Sequence, residues 1–241
     1  MQLSRRLEMV ANLVTKGNRV ADIGCDHAYT SIYLVKEKIA PYVLAMDVNQ
    51  GPLKKAKANI AAYRMTEQIE TRLSNGAEKL NCGEVETVLL SGMGGLLMIR
   101  ILSEKKEIVD ELNELILQPQ SEITLVRHFL HDQGFSIERE EMLKEDGKYY
   151  IAIKAVRGKE VYDKEVYYQF GKELLIRKDS TLKEFLNKEK TMRMNIVKSL
   201  QEKDTEQAKK RLEELEEITN LVFVDKLEGN YGNNKYFKAF I

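Results

Sequence analysis

The chain has 241 residues, enough for one substantial core and a smaller appendage. Its 38 Lys and Arg are balanced by 38 Asp and Glu, so any nucleic-acid partner has to be held by a local basic patch rather than by the field of the whole molecule. Two cysteines, Cys25 and Cys82, are too few for a disulfide framework or a zinc cluster, and no metal site is expected. The charge-studded start and the lack of a long apolar run predict a soluble, cytoplasmic protein with no membrane partner, expected to be a monomer.

In chain order, the apolar pattern switches repeatedly between the helical and strand periods. Leu3, Leu7, Val10, Ala11 and Val14 share one face of an opening helix that stops near Gly17. Arg19 to Ile23 reads as the first strand and Ala28 to Lys38 as its helix; Tyr42 to Asp47 is the second strand, and Gly51-Pro52 opens the next helix with proline well placed in its first turn. Ile69 to Leu73 and Val85 to Leu90 read as strands three and four, Gly95 to Leu102 begins a helix, and Glu114 to Leu117 is strand five. Ser121-Glu122 is expected to cap a helix through Asp132, closed by Gly134. Phe135 to Met142 and Tyr149 to Val156, joined by the turn Glu145-Asp-Gly-Lys148, read as an antiparallel pair. Strand-helix alternation followed by a hairpin predicts an α/β fold with a doubly wound, mostly parallel sheet and an antiparallel edge.

Composition changes after Gly158. From there to about Val224 the chain is charge-rich and free of proline, with apolar residues at three- and four-residue steps: Leu182, Phe185, Met192 and Ile196, then Ala208, Leu212, Leu215, Ile218 and Val222. A break near Lys203-Asp204, with Thr205 as an N-cap, predicts a hairpin of two helices. The expected organisation is a sheet domain over residues 1–157, a helical coiled-coil-like domain over 158–224 and a tail over 225–241. The helical arm reads either as a solvated appendage or as an RNA- or partner-gripping element, since Lys183, Lys188, Lys190, Arg193, Lys209, Lys210 and Arg211 are interleaved with acidic residues.

The chemistry concentrates where the parallel strands are predicted to end, which is where open α/β sheets bind ligands. Val20-Ala-Asp-Ile-Gly-Cys-Asp-His-Ala28 reads as strand, tight turn and helix. A dinucleotide loop asks for three glycines, so that N–H groups at a helix start can face a pyrophosphate. Here Gly24 survives, but Asp26 and Ala28 occupy the next glycine positions and Asp22 adds a second carboxylate. That pattern opposes phosphate and suits an adenosine cofactor that is cationic and unphosphorylated, for which S-adenosylmethionine is the natural candidate; a nicotinamide enzyme is the weaker alternative. Asp47-Val48-Asn49 is spaced to offer its carboxylate to two ribose hydroxyls. Ser74-Asn75-Gly76, Ser91-Gly92-Met93-Gly-Gly95 and Gln118-Pro119-Gln120 complete the set. Asp22 reads equally well as a buried carboxylate that ties down the turn, and Cys25 as a small filler rather than a nucleophile.

Taken together, these segments resemble the bacterial tRNA (adenine-N1)-methyltransferases that modify adenine at position 22. The resemblance rests on Leu3-Ser-Arg-Arg-Leu7, Val20 to Tyr29, Gly92-Met-Gly-Gly95, Leu117-Gln-Pro119 and Glu145-Asp-Gly-Lys-Tyr-Tyr150. It implies a class I methyltransferase domain with a C-terminal coiled-coil-like domain, S-adenosylmethionine as cofactor and tRNA as partner. On that footing Asp22, Gly24, Asp26, His27, Asp47, Val48, Asn75, Gly76, Gly92 and Met93 are the expected cofactor-binding residues. Asp26 and His27, with Tyr29 as a wall, are the catalytic candidates: a carboxylate or imidazole there would offset the positive charge that methylation leaves on the ring, or take a proton from the exocyclic amine. Gln118 and Pro119 are expected to orient the adenine edge, and Lys148 and Tyr149 to hold a neighbouring phosphate or base. The alternatives are a class I methyltransferase for a small molecule or protein, and a non-catalytic cofactor- or RNA-binding module.

Overall fold

The structure, a computed structural model, describes residues 3–201, with side chains as far as residue 192. Ser4 caps the opening helix α1 (Arg5–Ala11), its hydroxyl accepting from the Leu7 N–H. Strand and helix then alternate: β1 (Val20–Ile23), α2 (Tyr29–Lys36), β2 (Val43–Asp47), α3 (Gln50–Ala62), β3 (Ile69–Leu73), β4 (Thr87–Met93), α4 (Gly95–Ser103), a short α5 (Lys106–Val109), β5 (Glu114–Pro119) and α6 (Ile123–Asp132). A hairpin follows, β6 (Phe135–Glu145) and β7 (Lys148–Arg157), turning on Asp146 and Gly147, both at positive φ as a tight two-residue turn requires.

The seven strands form one sheet in the order β3-β2-β1-β4-β5-β7-β6. The first five are parallel and β7 runs antiparallel between β5 and β6. β1 and β2 are buried along their whole lengths, as strands covered on both faces must be. Val43, Leu44, Leu89, Ile116 and Ile32 of α2 are fully buried in the core; each aliphatic side chain removed from water contributes about 1.5–3 kcal/mol. All five parallel strands end at one edge. Because Leu117 pairs with Ile153 in antiparallel register, the start of β7 projects past that same edge.

Several boundaries differ from the sequence expectation for local reasons. β4 runs on through Ser91-Gly92-Met93, because Ser91 pairs with Gln118 and Met93 with Pro119 around a bulge at Gly92. Ser121 and Glu122 do not cap α6. Glu122 sits at φ +48 without a side-chain cap bond, and the Ser121 hydroxyl donates to the Glu122 carboxylate instead. This loop is drawn against α4, where the Gly95 N–H donates to the Ser121 carbonyl at 3.1 Å.

The chain divides into two compact units between Gln169 and Phe170, beyond the composition change at 158. The extra segment belongs to the first unit through side chains: the His131 ring lies against Tyr162 and Tyr168, and the buried Arg127 guanidinium donates to the Tyr168 and Gln169 carbonyls. Tyr168 and Gln169 lie on α7 (Glu165–Phe170). In the second unit, Gly171 at φ +87 precedes α8 (Lys172–Ile176), and the Asp179 carboxylate accepts from the Thr181 and Leu182 N–H groups at the start of α9 (Ser180–Gln201). The expected second helix from Ala208 to Val222, its Thr205 cap and the tail at 225–241 lie outside the described residues.

Candidate active site

The β1–α2 turn is left-handed at alternate positions, with Gly24 at φ +79, Asp26 at +50 and Ala28 at +60. Gly24 holds a φ that favours glycine, and the space of its missing Cβ is taken by the flexible end of Met93. Four of the turn's five N–H groups are engaged by the protein itself. Gly24 and Cys25 both donate to the Met46 carbonyl, Ala28 to the Cys25 carbonyl, and Asp26 to Asp47 Oδ2 at 3.2 Å. A pyrophosphate cradle needs such groups free and aimed outward; this turn is not one.

Beneath the turn, Asp22 is buried, and Ser31 Oγ donates to its Oδ2 at 2.6 Å. Desolvation pushes its carboxyl up to about 6, against the pull of the Ser31 hydroxyl and N–H, with the Asp47 charge adding to the rise. Burial also raises the Cys25 thiol far above its ordinary range, which removes it as a nucleophile at neutral pH. Asp47 accepts from the Asn49 N–H at 2.8 Å as well as from Asp26, so its two oxygens are fixed at the end of β2. The Asp26 carboxylate is itself exposed, 3.4 Å from His27 Nε2, and the His27 ring meets Tyr29 edge-on. Asn59 Nδ2 holds the His27 carbonyl at 3.0 Å.

Across the cleft the end of β4 supplies the facing wall. A cavity of about 310 Å³ opens between the two, lined on one side by Asp22, Gly24, Asp26, His27 and Tyr29 and on the other by Ser91, Gly92 and Met93. Arg6 of α1 and Gln120 after β5 also reach it. The donor set fits a cationic adenosine ligand: carboxylates at Asp22 and Asp26 face the space, and Asp47 stands directly behind the turn.

Residues 3–153 match the methyltransferase domain family. The Bacillus subtilis tRNA (adenine(22)-N(1))-methyltransferase is 31% identical over 235 residues, covering 92% of this chain and 96% of its own length. The chain belongs to the tRNA (adenine(22)-N(1))-methyltransferase family. Two solved structures agree with it in fold. A Listeria monocytogenes protein is 31% identical with a TM-score of 0.85, over 91% of this chain and 97% of its own. Streptococcus pneumoniae Sp1610, in complex with S-adenosyl-L-methionine, is 30% identical with a TM-score of 0.77, over 90% and 99%. The sheet is therefore a class I methyltransferase sheet, Rossmann-like, with an antiparallel seventh strand.

In this tRNA (adenine(22)-N(1))-methyltransferase family member, Asp22, Gly24, Asp26, His27, Tyr29, Gly92 and Met93 gather around one cavity. Asp47 joins them by its bond to the turn. Val48 is exposed beside it, and Asn75 and Gly76 follow Ser74, whose N–H donates to the Asp47 carbonyl; none of these three lines the cavity. Lys148 and Tyr149 start β7 at the same edge but also stand outside the lining, with Lys144 Nζ 5.5 Å over the Tyr149 ring. Gln118 is fully buried, and its Oε1 accepts from Arg6, Ser91 and the Gly92 N–H at 2.8, 3.2 and 3.1 Å. Its carbonyl is thus committed within the protein, next to Pro119, and Gln120 takes the lining position instead. Gln120 belongs to a cluster the sequence singles out but gives no role of its own, and Arg6, Leu7 and Thr30 line the cavity with no role assigned from sequence. Arg6 stands inside the Leu3-Ser-Arg-Arg-Leu7 segment, but nothing local in its spacing links it to Gln118.

Proposed function

We propose that this protein transfers a methyl group from S-adenosylmethionine to N1 of an adenine in tRNA, at position 22 as in its B. subtilis relative. The observation that carries the reading is the acidic turn with four of its five N–H groups already engaged, a site that attracts positive charge and offers a pyrophosphate little cradle. When bound, S-adenosylmethionine supplies an electrophilic methyl group on a sulfonium.

The chain's own contribution is placement and charge. Asp22, Gly24 and Met93 form the inner wall for the cofactor, with Asp47 at the ribose side and Val48, Asn75 and Gly76 at the adenine side. Holding two reactants at near-attack distance accounts for as much as about 7–11 kcal/mol of a barrier in favourable systems. N1 lies in the pairing edge of adenine, so the base enters unpaired or flipped. Asp26 and His27 stand at the mouth, where a carboxylate and an imidazole offset the positive charge that methylation leaves on the ring or accept the 6-amino proton. Tyr29 offers a stacking wall. Gln118 and Pro119 act on the substrate through the elements they hold, leaving Gln120 to face the base, and Lys148 and Tyr149 meet the flanking nucleotides. We place the enzyme in the cytoplasm as a monomer. No helix among the described residues is long and apolar enough to cross a membrane.

Incubation of the full chain with methyl-labelled S-adenosylmethionine and unmodified tRNA tests the reading. Label should enter the tRNA, be recovered as N1-methyladenosine, and fall away when adenine 22 is replaced by guanine. Cofactor binding without transfer to any RNA would sink it.

A further inference from the structure

We infer that Leu96, Leu97 and Leu125 form an apolar wedge beside the cavity, one that enters the RNA stack at the place the target adenine leaves. The inference rests on the tRNA reading above and adds to it the way the base is brought out of its helix.

Both helices that carry the wedge start at the cavity. Helix α4 begins just after Met93 and α6 just after Gln120, and both of those residues line the cavity. The two starts are tied together, since the Gln120 N–H donates to the Met93 carbonyl at 2.8 Å and the Gly95 N–H to the Ser121 carbonyl at 3.1 Å. They also touch: a Cβ on Gly95 would stand 2.9 Å from the Val126 side chain. Leu96 and Leu97 lie in the first turn of α4, and Leu125 in the first turn of α6. Helical side chains lean towards the N-terminus of their helix, so these three lean towards the edge at which the cavity opens.

All three are open to solvent. Leu96 is 58% exposed, Leu97 38% and Leu125 48%, whereas the neighbouring Met98 and Val126 are buried. A cluster of exposed apolar side chains at the rim of a polar site marks a surface that a partner covers. Neither first turn holds a lysine or arginine, and Glu122 stands at the start of α6, so the patch repels phosphate and suits the apolar face of a base. Three leucine tips fall well short of the roughly 800 Å² a side that a stable dimer buries. An adenine whose N1 is to meet the methyl group has to leave its pair and its stack. The gap it leaves is bounded by flat base faces, and leucine is one of the side chains that fill such gaps. With the adenine in the cavity, that gap lies at the rim, where the leucines stand.

The test measures methyl transfer by the full chain to two tRNAs that differ at one base. In one, adenine 22 is paired; in the other a mismatch stands opposite it, so the base is already loose. Leu96→Ser and Leu125→Ser should each lower kcat/KM on the paired tRNA about tenfold, the scale of one leucine's burial. On the mismatched tRNA the loss should stay within about twofold, because no pair has to be opened. Leu96→Met, which keeps an apolar tip, should retain most of the wild-type rate on both. Calorimetry should find S-adenosylhomocysteine bound by every variant within about twofold of wild type. Equal loss on both tRNAs, or no loss on either, would overturn the inference. So would a thermal midpoint lowered by more than about 3 °C in both serine variants, which would mean that the protein itself covers these leucines. A wild-type dimer split by either variant would assign them to a second copy and overturn it as well. If the wild-type chain methylated neither tRNA, the tRNA reading itself would fail and take the wedge with it.

Discussion

Burial pushes the Asp22 carboxyl up to about 6 from an ordinary 3.8, and this displacement has a consequence for stability. Between those two pH values the folded protein holds a proton that the unfolded chain has released, so stability falls as pH rises through the window and the cost is complete above about pH 6. A difference of that size between the folded and unfolded carboxyl corresponds to about 2–3 kcal/mol. Asp22→Asn keeps the shape and an acceptor for Ser31 while removing the buried charge. At pH 7.5 we expect its thermal midpoint to rise by about 3–6 °C, with the gain shrinking towards pH 4, and its affinity for S-adenosylmethionine to fall about tenfold. A lower midpoint at pH 7.5, read by differential scanning fluorimetry, would contradict this. Asp22, Gly24 and Asp26 are legible in the sequence because a broken glycine pattern is a local signal with a chemical meaning. Arg6, and the tie of Gln118 to it, are not, because the bond between them joins positions 112 apart and no local period encodes it.

At the scale of elements, the strand and helix alternation is readable from apolar spacing, and so is the closing hairpin from its Asp146-Gly147 turn. The insertion of β7 between β5 and β6 is not, since period-two patterns say which face of a strand is buried but not which neighbour it takes. The β4 end escapes a sequence reading because Ser91-Gly92-Met93 has a turn's composition while pairing as a bulged strand. Helix α6 and strand β6 are joined by a fully buried ion pair, Arg127 Nε to Glu140 Oε1 at 2.8 Å. Glu140→Leu strands the guanidinium and should destabilise the protein by about 3–5 kcal/mol in urea unfolding. Arg127→Met added to Glu140→Leu should recover part of that loss but not all of it, because the Tyr168 and Gln169 carbonyls also lose their donor. A double variant weaker than the single one would show that the pair does not behave as a buried charge pair.

For the whole molecule, composition places the division at 158, whereas the first compact unit continues to Gln169. The segment between is charged enough to look like the helical arm, and only Tyr162 and Tyr168, packed on His131, reveal its allegiance. Every residue lining the cavity lies between Arg6 and Gln120. A chain ended at Gly171, just past α7, should therefore bind S-adenosylhomocysteine within about threefold of the full chain, less than 1 kcal/mol apart; a larger loss would make cofactor binding depend on residues outside the first unit. The tie between α1 and the hairpin reaches further. The Arg5 N–H donates to Glu145 Oε1 and the Arg6 guanidinium covers Tyr150, so the first turn of α1 is seated by residues made some 140 positions later. On a ribosome adding about 5–20 residues per second, the opening segment emerges many seconds before its seat exists. A nascent chain halted before the hairpin is thus expected to leave the first turn of α1 more open to proteases, and synthesis of the hairpin is what closes that window.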